Sequence, residues 1–108
     1  MPTFAENYRA ADLTFDDNGI YWVNPENDET YQVMMDWEQP IMDKMAEFCV
    51  SEGDDVLEIG FGMGILSDAI QSKKPNSHTI VECHKDIIPK LKAWAEDKPN
   101  VIIIEGLW

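Results

Sequence analysis

Residues 57–66 read LEIGFGMGIL, an apolar run that passes directly into alternating glycines. Glycines between a strand and a helix let the backbone turn tightly and let a ligand lie close against it. A phosphate-binding P-loop is excluded, because no Lys-Ser or Lys-Thr pair follows the glycines. The dinucleotide fingerprint G-x-G-x-x-G/A is disfavoured as well, because Ile65 occupies the position that needs a small residue. The stretch is therefore an acid-x-G-x-G-x-G turn, with Glu58 two residues before Gly60.

The apolar pattern around this turn predicts alternating helices and strands. A helix begins near Pro40, which a first helical turn tolerates, and we expect Gly53 to end it. The elements that follow are a strand at 55–59, a helix at 65–74, a strand at 78–82, a helix at 86–97 and a strand at 101–105. This order indicates a parallel sheet with right-handed crossovers. The predicted fold class is α/β: a Rossmann-like doubly wound parallel sheet, truncated to its first βαβαβ half, with an N-terminal helix.

The strand at 55–59 should lie at the centre of a complete doubly wound sheet, with a fourth strand on its other side. The sequence up to residue 108 contains no such strand, so we expect strand 55–59 to present a bare apolar edge. Bare edges of this kind pair readily with another chain. The sequence therefore predicts a homodimer, formed through that edge or by exchange of elements.

Composition and charge narrow the classes of partner. The 108 residues suit one small domain, and a hydrophobic content of 44% suffices for a core. The formal net charge of −13 argues against a nucleic-acid-binding surface and against docking onto anionic membranes. Cys49 and Cys83 fit neither a disulfide framework nor a zinc-binding spacing, so no metal site is predicted. No signal-peptide pattern and no apolar run of membrane-spanning length are present, which favours the cytoplasm.

Residues 1–32 form a polar, acidic segment that has two interpretations. Its turn-rich composition suggests a loosely ordered leader. Alternatively, the segment is a lid that orders over a ligand, because aromatic side chains are costly to leave in water and it carries Tyr21, Trp22 and Tyr31. Residues 33–108 are predicted to form the cofactor-binding half of a domain.

Two acidic residues indicate the ligand of the glycine turn. A carboxylate at Glu58 would repel a pyrophosphate but would suit the ammonium group of S-adenosylmethionine. Glu82 ends the second predicted strand 22 residues after Gly60 (82 − 60) and is placed to bind ribose hydroxyls. The predicted cofactor is S-adenosylmethionine, with S-adenosylhomocysteine as its product. A nicotinamide oxidoreductase, a purely structural acidic protein and a turn that only reverses the chain are the alternatives.

Four stretches resemble one family, and they read WEQPIM (37–42), LEIGFGMG (57–64), IVECH (80–84) and EGLW (105–108). They are similar to guanidinoacetate N-methyltransferase and its arginine-methylating relatives, and the resemblance runs from about residue 33 to residue 108. It implies a class I S-adenosylmethionine-dependent methyltransferase that acts on a small guanidino compound. The alternative is a module that binds S-adenosylmethionine or S-adenosylhomocysteine without catalysis. In the family, a second acidic residue follows a fourth strand, and residues 1–108 do not include it.

The resemblance also implies roles for particular residues. Those at the amino-acid end of the cofactor are Phe61, Gly62, Met63, Gly64, Ile65 and Leu66. Those at the ribose and adenine are Glu82, Cys83, His84, Leu107 and Trp108, although His84 stands where the relatives commonly carry a small polar residue. Met34 and Met42 would pack near the cofactor, and Glu38 would bind the substrate guanidinium.

Without the resemblance, several residues have ordinary structural interpretations. Methionines more often fill a core than line a cofactor site. Glu38 alone would be a solvated surface acid. Trp37 and Trp94 are predicted to lie in the core, and His78, at the start of a strand, is predicted to be exposed.

Overall fold

The computed structural model describes residues 2–107. Its helices are α1 (Phe4–Ala10), α2 (Gln39–Cys49), α3 (Ile65–Ser72) and α4 (Ile88–Ala95), with a 3₁₀ turn at Asp36–Glu38 before α2. Its strands are β1 (Thr14–Phe15), β2 (Gly19–Val23), β3 (Thr30–Met35), β4 (Asp55–Ile59), β5 (Ser77–Glu82) and β6 (Val101–Glu105). Within this part of the chain, no helix is long and apolar enough to cross a membrane.

The strands form two sheets of three strands each. The strands β4, β5 and β6 lie side by side in that order and run parallel, with Ile59 opposite Val81 and Val81 opposite Ile104. Helices α3 and α4 connect them in the chain, so the βαβαβ half of a Rossmann-like α/β fold is confirmed. Of the described strands, only β5 pairs with β4, which leaves β4 at the edge of its sheet as the sequence predicts.

Helices cover one face of the parallel sheet. Ile80 of β5 is fully buried and packs with Ile87 and Leu91 at α4, because alternate residues of a strand point to the same face. Beside it, Val56 of β4 packs against a second buried cluster, whose members are Ala46, Val50 and Ile70. The three helices α2, α3 and α4 therefore share this side of the sheet.

The opposite face of the parallel sheet is apolar and open. Its outward side chains on β4 and β6 are exposed, from 63% for Leu57 to 49% for Ile104. The side chains of Ile59 and Ile102, 52% and 53% exposed, lie between these values. Exposed aliphatic side chains on both outer strands of this sheet form a surface that favours association.

Residues before position 33 fold into regular structure instead of a loose leader. Helix α1 begins with a capping box in which Thr3 accepts from the Glu6 N–H and Glu6 accepts from the Thr3 N–H. The strands β1, β2 and β3 form an antiparallel sheet, and β3 continues across the predicted boundary between residues 32 and 33. Trp22 is buried between the rings of α1 and β3, which explains why this polar segment is ordered.

Three local expectations were wrong. Helix α2 ends at Cys49, and Gly53 instead supplies the left-handed residue (φ +83°) of the turn into β4. Trp37 is 61% exposed because it lies in the 3₁₀ turn on the outer side of α2, where no element covers it. His78 is fully buried rather than exposed, because α3 and Trp94 pack over the first residues of β5. Trp94 is only partly buried, at the rim of the larger core cluster.

Candidate functional site

The glycine turn joins β4 to α3 and requires glycine for two reasons. Gly62 has a left-handed backbone (φ +59°), and a Cβ there would lie 2.5 Å from the Met34 sulfur. Gly64 is also left-handed (φ +81°), and a Cβ there would lie 2.8 Å from the Phe61 ring. The turn therefore packs directly against β3, and the Met63 N–H points at the Met34 sulfur at 3.4 Å. A side chain at either glycine would clash with its neighbour and would also strain the backbone.

Glu82 lies at the carboxyl end of β5 and is almost completely buried. Its Oε1 accepts from the Phe61 N–H at 2.8 Å, which ties it to the glycine turn. Its Oε2 accepts from the Cys83 and His84 N–H groups, both at 3.0 Å. Backbone donors on both oxygens hold the carboxylate in one orientation, at the edge of the sheet where α/β folds bind ligands.

Glu58, the acid before the first glycine, is buried beneath the turn. Ser67 of α3 donates to its Oε1 at 2.6 Å, and the Nε2 of His78 lies 2.9 Å from the same oxygen. Nothing in the sequence indicates this pairing, because His78 is 20 residues from Glu58 in the chain. The parallel register, which sets Val56 opposite His78, brings the two strands together.

A cavity of about 420 Å³ opens between these two acids, the glycine turn and β3. Its lining includes residues that the sequence assigned to the site, namely Met34, Glu38, Met42, Glu58, Gly60, Phe61, Gly62, Leu66 and Glu82. Its other lining residues are Tyr8, Val33, Met45, Ile59 and Ile87. Met45 is one turn from Met42 on α2, a spacing that the sequence shows, whereas nothing in the sequence brings Tyr8 to this cavity.

Glu38 reaches the same cavity from the 3₁₀ turn that precedes α2. Its Oε2 accepts from the Met35 N–H at 2.7 Å, which fixes the side chain against the end of β3. The cavity is thus lined by three acids, and its described lining contains no basic side chain. Such a site attracts a cationic ligand and repels an anionic one.

Tyr8 brings the N-terminal helix to the cavity. Burial, and then the nearby Glu82 carboxylate, raise the pKa of the Tyr8 phenol. The phenol therefore stays protonated at neutral pH and can donate a hydrogen bond. Its ring lies 4.8 Å from the His84 ring, centre to centre.

The remaining predicted site residues lie around the cavity rather than in its lining. They are Met63, Gly64, Ile65, Cys83, His84 and Leu107, while Trp108 lies outside the described residues. His84 is fully buried, with its Nδ1 accepting from the Asp86 N–H at 3.0 Å and its Nε2 donating to the Tyr8 carbonyl at 2.9 Å. Both ring nitrogens are thus engaged by the protein. Burial, and then the Glu82 charge, raise the pKa of the Cys83 thiol.

Most of β2, the strands β3 to β6 and the glycine turn fall within one family match. The family model for guanidinoacetate N-methyltransferase matches residues 21–108. The chain belongs to this methyltransferase family. The match begins inside β2, so it includes the β2–β3 hairpin that packs on the glycine turn.

Fungal proteins named protein arginine N-methyltransferase 2 are also similar to this chain. The protein of Yarrowia lipolytica is 40% identical over 94% of the chain, and that of Kluyveromyces lactis is 43% identical over 94%. The protein of Saccharomyces cerevisiae is 39% identical over 94% of the chain. The chain spans only 22% of the first of these relatives and 25% of the other two.

Proposed function

We propose that this chain is the S-adenosylmethionine-binding portion of an N-methyltransferase that acts on a guanidino group. The observation that carries the proposal is the cavity lined by Glu38, Glu58 and Glu82 beneath the glycine turn. A dinucleotide, with its anionic pyrophosphate, is a poor match to three acids. S-adenosylmethionine supplies a methyl group on a positively charged sulfur, and such a ligand fits an acidic cavity.

The cavity residues divide into those suited to the cofactor and one suited to the acceptor. The glycine turn brings its backbone to the cavity, where Gly60 and Gly62 belong to the lining, and Glu82 is positioned to accept hydrogen bonds from ribose hydroxyls. Glu58 lies on the β4 side of the cavity, where it can bind an ammonium group. Glu38 lines another wall from the start of α2 and is the residue that we assign to the guanidinium.

A guanidinium is a poor nucleophile because it is protonated at neutral pH. A carboxylate such as Glu38 can bind it, orient one nitrogen towards the methyl group and accept the proton that is released. One oxygen of Glu38 is held by the Met35 N–H, so the carboxylate has a defined orientation before the acceptor binds. The family name points to guanidinoacetate and the relatives' names to arginine; both carry a guanidino group.

Calorimetry and an activity assay together test the proposal. Titration with S-adenosylmethionine and S-adenosylhomocysteine should show binding, and NAD should not compete. Transfer of a labelled methyl group to guanidinoacetate, compared with an arginine-containing peptide, then identifies the acceptor. Binding without transfer to either would favour a cofactor-binding module that is not catalytic alone. Preferential binding of NAD would contradict the proposal.

We further propose that two copies of the chain pair as a homodimer through β4. The support is the edge position of β4 and the exposed Leu57 and Ile59 beside it. A monomer by light scattering at micromolar concentration would contradict this. A cytoplasmic location is also part of the proposal and rests on the sequence alone.

A further inference from the structure

A buried chain of polar side chains lies directly behind the cavity, on the far side of Glu58. It runs from Gln71 on α3, through His78 on β5, to Glu58 on β4, and Ser67 joins it from α3. Glu58, Ser67 and His78 are almost completely excluded from solvent. Burying a carboxylate and an imidazole together is costly unless their hydrogen bonds are satisfied. Such a cluster therefore needs an explanation beyond packing.

The hydrogen-bond geometry determines which His78 nitrogen carries the proton. The Gln71 side-chain nitrogen lies 2.9 Å from the His78 Nδ1, and an amide nitrogen can only donate. The Nδ1 is therefore an acceptor without a proton. The proton resides on Nε2, which donates to Glu58 Oε1 at 2.9 Å.

Two consequences follow for Glu58. First, Gln71 occupies Nδ1, so His78 meets Glu58 through Nε2 and holds the carboxylate in one orientation. Second, Ser67 and His78 both donate a hydrogen bond to Oε1, whereas none of the described residues donates one to Oε2. Glu58 itself belongs to the cavity lining, so the oxygen that these donors leave free is available there.

We propose that Ser67, His78 and Gln71 are positioning residues that hold the Glu58 carboxylate in the orientation that binds the ammonium group of S-adenosylmethionine. The inference rests on the proposed function, because it presumes that this cofactor enters the cavity. Specificity for the amino-acid end of the cofactor then depends on three residues, Ser67, His78 and Gln71, that do not themselves touch the ligand. The adenosine end is held by other residues, chiefly Glu82.

A pair of ligands separates this role from a purely structural one. S-adenosylhomocysteine carries the ammonium group, whereas 5′-methylthioadenosine has the same adenosine but no amino-acid end. In His78→Leu, we expect the dissociation constant of S-adenosylhomocysteine to rise about tenfold, as for the loss of one charge-assisted hydrogen bond. The dissociation constant of 5′-methylthioadenosine should change less than about twofold, because its contacts do not depend on Glu58.

Further variants keep the test decisive. His78→Gln retains a donor towards Glu58 and should restore part of the affinity for S-adenosylhomocysteine. Ser67→Ala removes only one of the two donors to Glu58, and it can replace His78→Leu in the test if that variant fails to fold. Asn100→Ala is a matched control, because it removes a side-chain hydrogen bond to Pro75 without touching Glu58. It should affect the two ligands equally.

The outcomes distinguish this inference from the function on which it rests. If the unaltered chain binds neither S-adenosylmethionine nor S-adenosylhomocysteine, the proposed function and the inference both fail. If the unaltered chain binds S-adenosylhomocysteine, but the His78 and Ser67 variants weaken both ligands equally or neither, only the inference is overturned. Equal affinity of the unaltered chain for both ligands would overturn it as well, since the ammonium group would then contribute nothing.

Discussion

At the scale of single residues, Glu82 links the glycine turn to the end of β5. Its three hydrogen bonds all come from backbone N–H groups, so its side chain fixes the shape of the turn as well as the cavity wall. A buried carboxylate that accepts several backbone donors is well placed before any ligand arrives. This makes Glu82 the residue whose loss should affect cofactor binding most directly.

We expect Glu82→Ala to weaken S-adenosylmethionine binding by about 1–3 kcal/mol, because ribose hydroxyls would lose their acceptor. Calorimetry measures the change, and thermal unfolding of the same variant reports how far the fold is affected. Glu82→Gln, which keeps one acceptor oxygen, should lose less. An unchanged dissociation constant in Glu82→Ala would remove Glu82 from the site.

At the scale of elements, the attachment of α1 and the loop after it depends on the segment that follows β5. His84 donates to the Tyr8 carbonyl, and Asp86 accepts from the Leu13 N–H at 2.9 Å. These contacts join residues more than 70 positions apart in the chain. They hold the N-terminal segment next to the cavity, and its role as a lid stays a prediction.

We expect His84→Ala to loosen α1, because the variant removes the side-chain donor to the Tyr8 carbonyl, which keeps only the Ala11 N–H at 3.2 Å, and removes the ring that packs on Tyr8. The free energy of unfolding should fall by about 1–3 kcal/mol. Hydrogen exchange should become faster in α1 than in β5. Equal acceleration in both elements would show that the variant destabilises the whole fold instead of releasing α1.

Acid should weaken the second attachment. The Leu13 N–H, more than Lys85, lowers the pKa of the Asp86 carboxyl below its ordinary value. A carboxyl whose folded-state pKa is lowered stabilises the fold above its unfolded pKa, and this contribution is lost as the pH falls through the lower folded value. The stability difference between the unaltered chain and Asp86→Ala should therefore be present at pH 7 and shrink below about pH 4. Urea unfolding at a series of pH values measures it, and a constant difference would contradict this account.

At the scale of the whole molecule, the two faces of the parallel sheet differ in how far they are covered. Helices α2, α3 and α4 cover one side, while Leu57, Ile102 and Ile104 are exposed on the other. An exposed aliphatic face beside an unpaired strand is a surface for self-association. In the proposed homodimer, a second copy would cover this face.

We expect Leu57→Lys to reduce self-association, because the lysine places a charge on the exposed face at the edge strand β4. Light scattering over a range of concentrations measures the shift towards monomer. The matched control is Lys44→Glu, which changes the charge at an exposed position of α2 without altering the sheet. If Leu57→Lys leaves the oligomeric state unchanged, β4 is not the interface.

The sequence by itself determined the order of elements in the parallel half of the fold. The strands at 55–59 and 101–105 are those of the structure, because short apolar runs separated by turn residues depend only on local sequence. The glycine turn could also be predicted from the sequence, since its left-handed backbone conformations favour glycine whatever surrounds them. The acids Glu58 and Glu82 were identified from their spacing to those glycines, and both line the cavity.

Only the tertiary structure decided how distant residues meet. Tyr8 lines the cavity because α1 docks on His84, and His78 is buried because the parallel register sets it beside Glu58. The N-terminal segment was ambiguous for the same reason: its order comes from packing Trp22 and Ile20 against other elements, not from local propensity. Local patterns specify turns and strands, whereas the partners of buried polar side chains depend on which strands become neighbours.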